Sequence, residues 1–165
     1  MRKLLAVTAV LLTAALPSAF AQNPSSVGTW KYDASQSDFG SGTKPKSMTL
    51  VVTKDTPQML AWRLTEVDPD GKVIHESWSG PQDGSMHPLK RTGGNGQAGF
   101  QAGGDQFTIT EKMPDGSNLQ SQVAKSDNGN TMTEHVTGTG PGGAAMNATI
   151  VWHKVRSAAK KKAAE

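Results

Sequence analysis

The sequence predicts an all-β fold, about eight or nine antiparallel strands in simple order that suit an up-and-down β-barrel or a sandwich, and three features predict it. Apolar and polar residues alternate in short runs, which is the period of a strand with one buried face. Clusters of Gly, Asp, Asn and Pro separate those runs at short intervals. After residue 26 no segment of ten or more residues carries apolar positions at helical spacing.

Taken in order, a first strand falls around Val27 to Lys31. Met48, Leu50 and Val52 alternate with Thr49, Val51 and Thr53 and form the next. Leu60, Trp62 and Leu64 alternate with Ala61, Arg63 and Thr65, and Asp68-Pro69-Asp70-Gly71 turns the chain into Val73 through Trp78, which makes a hairpin. Gln106 to Glu111 runs into Met113-Pro114-Asp115-Gly116-Ser117, and Asn118 to Lys125 returns. Asp127-Asn128-Gly129-Asn130 reverses the chain again into Thr131 through Thr137, and Gly138 to Gly143 leads to Met146 through Val155. Residues 80 to 104 hold eight glycines in twenty-five positions, with one or two further strands between Met86 and Phe100. That stretch reads as a ragged strand pair or a mobile loop, either a lid over a cavity or a surface insertion.

The N-terminus has a different composition. Met1-Arg2-Lys3 is followed by thirteen mostly apolar residues, Leu4 to Leu16, then by Pro17-Ser18 and Ala19-Phe20-Ala21. Charge, short apolar run and small residues in that order are an export signal, a helix removed by cleavage before Gln22. The expected organisation is a signal peptide over 1–21, a polar leader over 22–26, a barrel domain over 27–156 and a basic Ala/Lys-rich tail over 157–165. Arg2 and Lys3 leave with the signal, so fifteen basic residues then face fourteen acidic ones and the net charge falls from +3 to +1. Without a sustained basic face, nucleic acid is not an expected partner. The chain has no cysteine, which excludes thiolate catalysis, a Cys-based metal site, disulfides and lipidation at a cleavage-site cysteine. A periplasmic or secreted protein is expected, with no stable membrane insertion after cleavage and the oligomeric state left open.

The run Gly28-Thr29-Trp30-Lys31-Tyr32-Asp33, followed by Ser35, Ser37 and Phe39, resembles the opening of a group of small exported bacterial lipocalin-like proteins. The likeness continues in Lys44-Pro45-Lys46-Ser47, Asp70-Gly71-Lys72, Asn130-Thr131-Met132-Thr133 and Thr137-Gly138-Thr139. The wider lipocalin pattern implies that Trp30 plugs the closed end of the barrel under a basic side chain, with Arg156 preferred and Lys154 the alternative. The sequence departs from many lipocalins in lacking the Thr-Asp-Tyr motif and the disulfide.

The residues themselves carry little catalytic chemistry. His75, His87, His135 and His153 have no helical metal spacing, and no metal or cofactor is expected. Glu66, Glu76, Glu111 and Glu134 fall one to a strand, the pattern of solvent-facing carboxylates rather than of a catalytic pair. No serine sits in a nucleophile elbow, and the glycines follow no phosphate-binding spacing. Cavity chemistry remains, because a barrel of this size can enclose one small ligand. The candidate ligand contacts are Trp62, Arg63, His75, Glu76, Trp78, Glu134 and His135. In the adjacent pairs His75-Glu76 and Glu134-His135, the two side chains leave a strand on opposite faces. The expected role is non-catalytic binding of a small, partly apolar molecule; the alternative is a filled barrel that serves as a cell-envelope interaction module.

Overall fold

The structure, a computed structural model, describes residues 25–103, 106–126 and 128–156. The expected signal segment, the start of the leader and the tail lie outside the described residues. Ten antiparallel strands run in simple order: β1 (Gly28–Tyr32), β2 (Ser47–Thr56), β3 (Met59–Val67), β4 (Val73–Gly80), β5 (His87–Arg91), β6 (Gly96–Gly103), β7 (Gln106–Lys112), β8 (Asn118–Lys125), β9 (Thr131–Thr139) and β10 (Ala145–Lys154). Each pairs with its neighbours in sequence, and β1 pairs with β10 through Trp30↔Lys154 and Tyr32↔Trp152, so the sheet closes. Closure leaves no unpaired strand edge exposed to other chains.

Among the described residues the strands number ten: eight match the runs read one by one from the sequence, and the other two fall in the glycine-rich stretch. Residues 80–104 are neither lid nor insertion but largely strands β5 and β6, with no alternating apolar pattern to announce them. Gly99 is buried there because residues 84–86 cross its outer face. A Cβ on Gly99 would stand 2.6 Å from the Gly84 carbonyl oxygen and 3.1 Å from the Met86 sulfur. The Gly84 and Ala102 amides tie this crossing to β6 by donating to the Phe100 and Gln82 carbonyls at 2.7 and 3.2 Å.

Register decides which side chains share the interior. Trp62 pairs with Trp78, Leu64 with Glu76, Glu76 with Arg91, Phe100 with Ile109, and Ile150 with Glu134, and paired residues project from the same face of the sheet. One continuous apolar cluster results, containing Trp30, Leu60, Trp62, Trp78, Phe100, Val123, Met132 and Trp152. The Trp78 and Phe100 rings pack at a tilt with centroids 4.4 Å apart, and Trp62 and Phe107 flank Phe100 at 6.1 and 6.3 Å.

Trp30 is fully buried, as expected of a plug, and its indole nitrogen donates to the Ser26 carbonyl at 2.8 Å. The covering cation is Lys154, not Arg156. Lys154 pairs with Trp30 on the inward face of the ladder and holds its ammonium 5.2 Å from the ring centroid. Arg156 lies two residues beyond the end of β10, exposed. Such a cation–π contact is worth about 0.5–2 kcal/mol.

Candidate functional site: an acid-lined barrel cavity

The interior is not filled. A cavity of about 760 Å³ runs through the barrel, inside the range of about 300–1,000 Å³ usual for small-molecule pockets. Its walls are apolar: Leu50 and Val52 from β2, Leu60, Trp62 and Leu64 from β3, Phe100 from β6, Ile109 from β7, Met132 from β9 and Trp152 from β10. The even spacing along each strand is the reason, since residues two apart return to the same face.

The two ends of the cavity differ. At the end where Trp30 sits, it is bordered by Ser25, Pro57, Ala102 and Gln106, all exposed, and this end is the mouth. The plug expected from the lipocalin pattern therefore sits beside an opening rather than closing the barrel. Ser26 is anchored across this rim: its amide donates to Asp55 Oδ2 at 2.7 Å, and its hydroxyl accepts from Lys125 Nζ at 3.2 Å. Gln82 Nε2 donates to Asp55 Oδ1 at 3.3 Å and to the Thr56 carbonyl at 2.7 Å.

Away from the mouth the cavity is lined by three carboxylates, Glu76, Glu111 and Glu134. Arg91 donates to Glu76 at 2.6 Å, an ion pair set by their direct opposition on β5 and β4. Glu134 accepts from Trp152 Nε1 at 3.2 Å and from the Ser121 hydroxyl. Burial pushes all three above the ordinary carboxylate range. Glu111 is driven to about 8 by desolvation and then by the charges of Glu76 and Glu134, with Arg91 opposing. In Glu76 desolvation outweighs the Arg91 pair, and in Glu134 it outweighs the two hydrogen bonds. Glu66, two residues from Leu64 on β3, is raised by desolvation as well and adds to the field at Glu76. One guanidinium thus faces several carboxylates in a poorly solvated space.

Of the seven residues expected to contact ligand, Trp62, Glu76 and Glu134 line the cavity. Trp78 is buried behind it, its indole nitrogen donating to the Ala98 carbonyl at 2.9 Å. Arg63, His75 and His135 are exposed and point away. Arg63 must do so because Trp62 and Leu64 on either side face in. His75 meets Thr65 on the outer surface at 3.3 Å, and His135 meets Thr149 at 3.1 Å. None of the four histidines lines the cavity, and no group of metal-ligating side chains occurs among the described residues. Glu111 and Arg91 were not expected here. Glu111 shares the parity of Phe107 and Ile109, so its inward position follows from β7 once those two are placed inside. Arg91 had no comparable signal, because β5 carries no alternating apolar pattern to show which of its side chains face in.

Solved structures with this architecture put the barrel among known folds. A point mutant of the fluorescent protein UnaG superposes with a TM-score of 0.52 at 14% identity, over 79% of this chain and 96% of its own. Secretory abundant heat soluble protein 4 from Ramazzottius varieornatus gives 0.54 at 13%, over 82% and 99%. The REP1-NXSQ fatty acid transporter gives 0.51 at 11%, over 80% and 97%. The fold is a lipocalin-like barrel. At these identities the likeness concerns architecture alone. No protein-family model matches the chain. No curated protein sequence matches it. Among the described residues no helix is long and apolar enough to cross a membrane.

Proposed function

We propose that this chain is an exported, non-catalytic carrier that holds one small, partly apolar molecule inside its barrel, in the periplasm or outside the cell. The observation that carries the reading is the hollow interior, about 760 Å³ walled by aliphatic and aromatic side chains with a few converging polar groups. The same volume argues against the alternative of a filled barrel acting only as an interaction scaffold. The barrel neighbours include a fatty acid transporter, which fits a carrier role for the architecture. Export is supported by the order of charge, apolar run and small residues in the first twenty-one positions.

Native mass spectrometry of the full-length gene product, recovered from periplasmic and culture-medium fractions, tests both parts. A polypeptide mass that begins at Gln22, accompanied by a non-covalent adduct of small-molecule size, is the expected result. An intact Met1 in the cytosol would remove export. A mature protein that carries no adduct and is not stabilised by any member of a broad apolar ligand set would remove the carrier reading.

A further inference from the structure

Resting on that carrier reading, we propose that the cavity selects the head group of its ligand, accepting a protonated amine on an apolar body and discriminating against a carboxylate. The inner part of the cavity presents Glu76, Glu111 and Glu134, and the only cation facing them among the described residues, Arg91, is engaged by Glu76 at 2.6 Å. The cation among the cavity's own lining residues, Lys125, belongs to the mouth, where it bonds Ser26 and interacts with Asp55. A ligand carboxylate would bring a further negative group into a poorly solvated interior whose own carboxyls are already pushed toward holding protons. An ammonium would instead supply the missing cation and up to three hydrogen-bond donors.

A second, independent feature also points to an occupant. The indole nitrogen of Trp62 is buried without a hydrogen-bond partner, on a residue 7% exposed that lines the same cavity. Buried indole N–H groups ordinarily find an acceptor. Trp62 and Trp78 form the ladder pair next to Leu64 and Glu76, so this donor lies one step nearer the mouth than the carboxylates. The ligand that completes both features has a cationic nitrogen at its inner end and an oxygen acceptor a short distance along its body.

The charged groups facing Glu111 are Glu76 on β4, Arg91 on β5 and Glu134 on β9; the paired positions on the adjoining strands β6 and β8 are Ala98 and Leu119. Arrival of an ammonium should therefore displace the proton that Glu111 holds near neutrality. Ammonium binding should release protons to the buffer, and it should strengthen between about pH 6 and pH 8.5 while the amine stays charged.

The test is displacement of Nile red, a neutral apolar dye, from the full mature chain by decylamine, decanol and decanoate, which share one tail. At pH 8 decylamine should bind at least tenfold more tightly than decanoate, and calorimetry in buffers of different ionisation enthalpy should show proton release for decylamine alone. Replacing Glu111→Gln together with Glu134→Gln should abolish the amine preference measured against decanol, and a far-UV circular dichroism spectrum and cooperative melt like those of the wild type show that the variant is folded. Decanoate equal to or tighter than decylamine, or an amine preference that survives the double replacement, overturns the head-group inference and leaves the carrier reading standing. Absence of Nile red binding to the wild type overturns both.

Discussion

Glu111 concentrates the chemistry of the interior in one side chain. Its carboxyl is raised from 4.5 to about 8, so the folded state holds a proton that the unfolded state gives up several pH units earlier. Its contribution to stability is complete below about pH 4.5 and is lost as pH rises towards 8. Unfolding by urea at pH 5 and pH 8.5 should show the wild type weakening across that window. Glu111→Gln should flatten the decline and be more stable than wild type at pH 8.5, by on the order of 2 kcal/mol. Parallel pH dependence in the two proteins would place Glu111 in contact with water. The inward residues were partly legible from sequence. Glu76 and Glu134 were found, but each was accompanied by its sequence neighbour, His75 or His135, and a strand sends only one of two neighbours inside. Arg63 failed for the same reason between Trp62 and Leu64. Trp30 was legible as a buried ring at one end of the barrel but not as one beside the mouth, and of the two cations offered as its cover the structure takes Lys154 rather than Arg156, because the end of the last strand decides which cation faces inward.

Strands differ in how plainly a sequence announces them. β2, β3, β7 and β10 carry β-branched and aromatic residues in alternation, and the turns after β3, β7 and β8 carry Asp-Gly or Asn-Gly, so pattern and turn chemistry agree there. β5 and β6 read His87-Pro88-Leu89-Lys90-Arg91 and Gly96-Gln97-Ala98-Gly99-Phe100-Gln101-Ala102-Gly103, where packing rather than propensity makes the strand. Gly99 shows why: the outer face of β6 is crossed by backbone at a distance only glycine allows. Gly99→Ala should cost about 1–3 kcal/mol. In hydrogen exchange the Gly84 and Ala102 amides, which tie the crossing to β6, should lose protection before the rest of the barrel. Unchanged stability and protection would mean that residues 84–86 do not rest on Gly99.

At the scale of the whole molecule, simple strand order makes the barrel readable, since each hairpin is local and closure needs only that the first and last strands meet. Hollowness is not readable in the same way. It depends on how far ten strands stand from a common axis and on where Trp62, Trp152 and Phe100 direct their rings, neither of which a linear pattern specifies. The convergence of carboxylates from β4, β7 and β9 is likewise a product of register across the barrel, invisible while each glutamate is seen on its own strand. The enclosed space is the central claim, and Val123 offers a direct way to test it, being buried and lining the cavity wall. Fluorescence titration with Nile red should show one site per wild-type chain, and Val123→Trp should bind the dye at least tenfold more weakly while melting at an unchanged or higher temperature, because the added ring enters empty space. A wild type that does not bind, or a Val123→Trp variant destabilised by the roughly 1–3 kcal/mol typical of an overpacked side chain in a full core, would show instead that the barrel is filled.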